Sequence, residues 1–294
     1  MIITNELNLP QPFVDAVSRD YQYTPKRYSV TSLLKGPREA ILQRRHADEI
    51  TTDAADMVWA IFGSAVHKIL EEGQETATQL KENKLEVEMR NGYMLSGIFD
   101  LYDDATGVVT DYKTASVWKA VYDEWEDYRK QLLIYVWMLR QLGFDAHTGE
   151  IVATLKDHSK SKAKFDRDYP QHPVVVKRWE FTDMELDDIG AWLEHRFSII
   201  EAAEHCADDL LPVCTPEERW AKPAKYAVKK VGNKRAAKLF DDETEAHRHA
   251  DMLAEKDGKP YEVEKRPGTD GKCAEYCSAC EFCSYWKEHY GTSY

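Results

Sequence analysis

From Asp56 to Glu72 apolar residues recur three and four positions apart, at Val58, Ile61, Phe62, Ala65, Val66, Ile69 and Leu70, and this spacing predicts an amphipathic helix with His67 beside its apolar stripe. Upstream, residues 28–46 open on Ser and Thr before Leu33, Leu34, Ile41 and Leu42. Gly36-Pro37 interrupts that run, so two short helices should meet at a break. Residues 85–114 then alternate with a period of two and contain two turn signals, Asn91-Gly92 and the stretch 103–107, which predicts a three-stranded antiparallel meander. Helical spacing returns from Glu126 to Leu142 and stops at Gly143. Residues 150–155 and 174–181 read as strands, and a long helix is expected from Asp183 to Cys206 behind a Thr182 cap. After Pro212 and Pro216, residues 223–264 read strand, strand, helix, strand.

These elements predict an α/β protein, a central mixed sheet flanked by helices with a small ββαβ insertion. We expect a core over 1–212, the inserted module over 213–266, and a cysteine-rich, metal-binding tail over 267–294 packing on the core. The 294 residues suffice for a large core plus an appendage, and 43% hydrophobic with 31% charged residues is the composition of an ordinary globular chain. No stretch approaches the roughly 20 apolar residues of a membrane span, and the start, MIITNELNLPQPF, has neither a basic nor an apolar leader region. A cytoplasmic, intracellular protein without a membrane partner is therefore expected, in which cysteines favour metal or reduced thiols over disulfides. The net charge of −13 argues against coating of nucleic acid by bulk positive charge, though not against an enzyme with a local basic groove.

The chemistry concentrates at Asp100 and the triplet Asp111-Tyr112-Lys113. The turn at 103–107 should bring them together, with Asp111 and Lys113 on one face of a strand and Tyr112 on the other. Two carboxylates suit magnesium or manganese, and a lysine beside them can position a nucleophile or stabilise a pentacoordinate oxyanion. A lone Asp-x-Lys is more commonly a cross-strand ion pair on a solvated face, and a histidine on an apolar helix is commonly a satisfied core residue. Taken in order, however, Gly63-Ser64-Ala65-Val66-His67, Gly97-Ile98-Phe99-Asp100, Asp111-Tyr112-Lys113, and Gln131 with Tyr135 resemble the PD-(D/E)XK nuclease superfamily, and most nearly its RecB-like branch. That branch includes recombination exonuclease domains, CRISPR-adaptation nucleases and phage-type exonucleases.

The resemblance covers roughly residues 28–155 plus the cysteine tail, and it implies a restriction-endonuclease-like core. Its implied activity is magnesium- or manganese-dependent hydrolysis of DNA phosphodiesters, as an exonuclease acting on free ends in recombination, repair or end processing. The alternatives are a structure-guided endonuclease and a catalytically silent DNA-binding protein on the same fold. By the resemblance, His67, Asp100 and Asp111 hold the metal, Lys113 is the catalytic lysine, and Gln131 with Tyr135 steer the strand. Those two lie four apart on one helix and share a face, where packing is the other reading. A recombination-protein partner or a homo-oligomer is compatible with this reading.

Cys273, Cys277, Cys280 and Cys283 crowd into eleven residues, a spacing that fits a [4Fe–4S] cluster or zinc and does not separate them. Related nucleases with such tails take one cluster ligand from the N-terminal region, before a Pro-Arg pair. Here Gly36 occupies that position, so a fourth ligand falls to another tail cysteine or to Cys214, or the thiols carry no metal. Cys206, on the long helix, is expected to be buried. Lys222, Lys225, Lys229, Lys230, Lys234, Arg235 and Lys238, with Trp220 and Tyr226, form the densest basic stretch and are either a phosphate-tracking surface or a solvated hairpin.

Overall fold

The computed structural model describes residues 1–18 and 22–291. The chain divides into two units, Met1–Ala207 and Asp208–Tyr294. Residues 19–21 of the expected core and 292–294 of the expected tail lie outside the described residues.

The first unit starts with strand β1 (Ile2–Thr4), helix α1 (Gln11–Val17) and strand β2 (Arg27–Ser29). Helices α2 (Val30–Leu33) and α3 (Pro37–Arg45) follow, separated at Gly36-Pro37 as the sequence predicts. The side chain of Ser29 caps α2 by accepting from the Ser32 N–H. Pro37, with no N–H to leave unsatisfied, opens α3. Strand β3 (Thr51–Asp53) returns to pair in parallel with β1 and leads through a short 3₁₀ turn into α4 (Val58–Glu71), the helix that carries His67.

The expected three-stranded meander is instead two hairpins in two sheets. Strands β4 (Gln79–Lys81), β5 (Lys84–Glu88), β6 (Met94–Ile98), β7 (Leu101–Asp103) and β8 (Val108–Ala115) follow one another. The hairpin of β5 and β6 turns at Gly92, whose φ of +78° needs glycine, and it joins β2 in the sheet order β2-β6-β5. The chain leaves that sheet at Phe99-Asp100. Phe99 is fully buried, and the Asp100 carboxylate accepts a hydrogen bond from the Tyr112 N–H of β8. Two consecutive inward side chains break the alternation of a continuous strand, which period counting does not register.

Strand β7 therefore pairs with β8 in the larger sheet, whose order is β10-β9-β8-β7-β4. Strands β8 and β9 (Thr148–Leu155) are parallel, so the chain must cross over between them. The crossover contains α5 (Val117–Val121) and α6 (Glu126–Gln141). Helix α6 buries Leu132, Ile134, Val136, Met138 and Leu139 completely, each contributing about 1.5–3 kcal/mol of apolar burial. Gly149 allows α6 to approach β9, since a Cβ there would stand 2.8 Å from Leu132 Cβ. Helix α7 (Lys160–Phe165) and strand β10 (Val174–Glu180), antiparallel to β9, lead into α8 (Asp183–Ala203). A capping box between Thr182 and Glu185 starts α8, so the predicted cap is present. The helix ends at Ala203, and Cys206 lies beyond it and is half-buried, not a buried helical residue as expected.

The second unit contains strands β11 (Ala221–Lys222), β12 (Lys225–Lys230) and β13 (Lys238–Phe240), helix α9 (Glu243–Asp257), and strands β14 (Tyr261–Arg266) and β15 (Thr269–Asp270). Its sheet has the order β13-β12-β14, with Val228 packed against Ala246 and Ala250 of α9. The tail continues in two short helices, α10 (Gly271–Glu275) and α11 (Ser284–His289). Asp270 anchors it, pairing with Arg219 Nε at 3.1 Å and accepting from Tyr285 Oη at 2.7 Å. The whole is a mixed α/β architecture with mixed sheets flanked by helices.

Candidate active site

Four residues named from the sequence meet where β7 and β8 face α4. Leu101 pairs with Thr110, so Asp100 precedes β7 beside Asp111. Asp100 Oδ2 accepts from the Tyr112 N–H at 2.5 Å, and its Oδ1 lies 3.4 Å from His67 Nδ1. Lys113 shares a face with Asp111, its Nζ 2.5 Å from Asp111 Oδ2. This is no solvated surface pair, because Asp111 is 2% exposed and Asp100 8%. Asp111 Oδ2 is sealed from solvent, with the Lys113 ammonium beside it. Burial pushes the Asp111 carboxyl above its ordinary range, against the pull of Lys113.

The structure adds Glu82, which was not read from the sequence. Among the described residues, His67, Glu82 and Asp100 are the group of three whose ligand atoms lie within 4.8 Å of one another. Glu82 sits in the turn between β4 and β5 with φ at +52°, a left-handed conformation unfavourable for a side chain with a Cβ. Its N–H donates to the Asp100 carbonyl at 3.2 Å, which holds that conformation. Burial raises the Glu82 carboxyl, with the Asp100 charge adding to the effect. The hydrogen bond to Asp100 raises the His67 imidazolium range. Glu88, another carboxylate considered from the sequence, pairs with Met94 at the opposite end of β5 and is exposed.

A cleft of about 510 Å³ opens along α4, lined by Gly63, Ser64, His67, Lys68, Glu71 and Glu82. Gly63 and Ser64, one turn before His67, are small and keep that helix face low. Gln131 and Tyr135 share a face of α6, with Gln131 Nε2 donating to Tyr135 Oη at 3.3 Å. Both are buried, and the Tyr135 hydroxyl, raised first by burial, also senses Asp111, Asp100 and Glu82. They form a floor beneath the carboxylates. Gly97 makes room for that floor, since a Cβ there would stand 2.6 Å from Tyr135 Cε1.

The donor set fits a hard divalent cation. The Glu82 and Asp100 carboxylates and the His67 imidazole supply oxygen and nitrogen ligand atoms within 4.8 Å of one another, and the buried Asp111 carboxyl lies beside Asp100. In the second unit no disulfide joins Cys214, Cys273, Cys277, Cys280 and Cys283, and all five are half-buried. Burial pushes the Cys273 thiol up to about 12, with Cys214 and Cys283 contributing. No three of these sulfurs form a group within 4.8 Å. Three of the seven cations of the basic stretch are paired with carboxylates: Lys225 with Asp241, Lys229 with Glu262 and Glu264, and Lys230 with Asp257.

A family model of the PD-(D/E)XK nuclease superfamily matches residues 74–286. Comparison with curated proteins gives no match. Among solved structures, the chain is similar to SSO0001 at 18% identity and a TM-score of 0.42, over 59% of this chain and 79% of that one. It is also similar to a phage-related exonuclease from Haemophilus somnus 129PT at 10% identity and a TM-score of 0.29, over 59% of this chain and 81% of that one. No helix among the described residues is long and apolar enough to cross a membrane.

Proposed function

Because the chain belongs to the PD-(D/E)XK nuclease superfamily, we infer that it is a divalent-metal-dependent deoxyribonuclease acting from DNA ends in recombination, repair or end processing. The observation that carries this reading is the convergence of buried Asp100 and Asp111 with Glu82, His67 and Lys113.

His67, Glu82, Asp100 and Asp111 would hold magnesium or manganese, whose positive charge polarises the phosphoryl group and acidifies a water when the ion is bound. Lys113 places its side-chain nitrogen at the rim of this carboxylate cluster, where it would orient the attacking water or offset oxyanion charge on the phosphoryl centre. The backbone of Tyr112 fixes one oxygen of Asp100 and leaves the other facing His67. Gln131 and Tyr135 support the carboxylates from below and act as positioning residues.

Incubation of end-labelled linear and closed circular DNA with magnesium or manganese tests this reading. Degradation of linear DNA alone, abolished in Asp111→Ala, is expected. Nicking of the circle would make the protein an endonuclease, and metal-independent binding without cleavage of either substrate would refute the enzymatic reading. The tail cysteines with Cys214 are a second candidate metal centre, for an iron–sulfur cluster or zinc. Visible absorption of anaerobically purified protein distinguishes these, since a colourless preparation with stoichiometric zinc rejects the cluster.

A further inference from the structure

One end of the β8–β9 pair has a feature that the hydrolytic site does not use. Trp59 on α4 is 56% exposed, Trp118 on α5 47% and Tyr122 64%, although aromatic rings of this size usually bury most of their surface. The three belong to one patch of the first unit. The Lys156 N–H donates to the Ala115 carbonyl, and the next residue, Asp157, accepts from Ser116 Oγ and the Val117 N–H, tying the end of β9 to the start of α5. Lys156 Nζ lies 4.0 Å from the centre of the Trp59 ring, and Lys162 Nζ 4.5 Å from that of Trp118. Trp118 and Tyr122 stack at 5.8 Å with 23° between their planes, leaving Tyr122 as the open face of the stack.

The charges on this patch are equally distinctive. In a chain of net charge −13, residues 156–167 carry Lys156, Lys160, Lys162, Lys164 and Arg167 against Asp157 and Asp166. Among the described residues neither Lys156 nor Lys162 has a carboxylate within ion-pair distance; Lys156 rests on Trp59, and Lys162 lies over both Trp118 and the buried Tyr169. Contacts between a cation and an exposed ring are weak, so a phosphate can displace the ring as the ammonium's partner. By contrast, three lysines of the second unit's basic stretch are already paired with carboxylates.

We propose that Trp59, Trp118 and Tyr122, with Lys156 and Lys162, form a stacking shelf that holds an unpaired nucleic-acid strand leading to the hydrolytic site. The shelf rests on the nuclease reading above. Unpaired bases stack on aromatic faces while lysines track the phosphates between them, and a duplex, whose bases are already stacked, has no use for open rings. Placement fits this role: Trp59 and His67 sit eight residues apart on α4, about 12 Å along the axis. Gly63, midway between them, lies over β8, where its Cβ would stand 3.6 Å from Thr114 Oγ1.

Fluorescence anisotropy of a short labelled oligothymidylate on the full chain, in EDTA so that nothing is cut, tests the shelf. We expect Trp118→Ala with Tyr122→Ala to weaken binding roughly five- to hundredfold, with a much smaller effect on a blunt duplex. Lys162→Glu should lower the slope of log affinity against log salt by about 0.7, the share of one phosphate contact on a single strand. Circular dichroism checks that each variant folds, and the lysine variant keeps the test decisive if the ring variant does not. Unchanged oligothymidylate affinity in both variants would overturn the shelf, as would equal weakening for strand and duplex. Concentration-dependent dimerisation lost in Trp59→Ala, with oligonucleotide affinity unaltered, would assign the patch to a second copy and also overturn it. The nuclease reading fails separately, through absence of metal-dependent cleavage while the shelf variants still lose strand binding.

Discussion

Asp111 shows how a single residue can serve chemistry at the expense of stability. Its carboxylate is buried, and desolvation outweighs the neighbouring Lys113 in setting its proton affinity. Asp111→Asn should therefore raise the melting temperature of the protein in EDTA while reducing metal-dependent DNA cleavage at least about a hundredfold, the scale of losing an essential electrostatic group. A lower melting temperature would show that the pair with Lys113 dominates. Gly97 presents the opposite constraint, where the backbone must yield space to Tyr135. Gly97→Ala puts a Cβ against Tyr135 and Val30 and should cost about 1–3 kcal/mol in urea unfolding, with activity reduced by displacement of the Gln131–Tyr135 floor.

At the scale of elements, periodicity located the helices, but not what their stripes meet: α6 buries its apolar positions in the core, whereas α4 has no buried residue and leaves Val58, Phe62, Ile69 and Leu70 exposed. Helix α8 begins at the Thr182 cap the sequence marks, and its capping box is complete: Thr182 accepts from the Glu185 N–H, and Glu185 accepts from the Thr182 N–H and hydroxyl. Those bonds hold the Glu185 carboxyl below its usual range, the backbone one foremost. A depressed folded value means the contribution is present above the unfolded range near about 4.3 and is lost as pH falls through the lower folded value. Thr182→Ala should cost about 1 kcal/mol at neutral pH, and its deficit relative to the parent should shrink in acid, as urea titrations across that window would show. The meander failed for a reason at the same scale. Alternation reports which faces are apolar, not which sheet a strand joins, and Phe99-Asp100 carries the chain from one to the other.

For the whole molecule, the proposed metal site would couple cation binding to folding, because its carboxylates come together only in the folded chain. A cation that binds only the folded arrangement stabilises it by about 2.7 kcal/mol at a hundred times its dissociation constant. Manganese should therefore raise the melting temperature of the parent protein and do so markedly less in Asp100→Ala, as calorimetry would measure. An equal shift in both would place the cation elsewhere. The net charge of −13 fits this organisation, with positive charge concentrated locally while Lys225, Lys229 and Lys230 are neutralised by nearby carboxylates.

The sequence by itself determined the mixed α/β class, the helices carrying His67 and Gln131, and the pairing of Asp111 with Lys113 on one strand face, because these follow from local period and alternation. The order of its motifs also carried the resemblance to the nuclease superfamily. Tertiary structure alone decided that Glu82 joins the site, since a carboxylate in a polar turn carries no periodic signal and is recruited by the bond from its N–H to the Asp100 carbonyl. It also decided that Gln131 and Tyr135 lie buried beneath the carboxylates, and that Trp59, Trp118 and Tyr122 from two helices share one edge. Such proximities are set by crossover and sheet register, which bring together residues that no local pattern links.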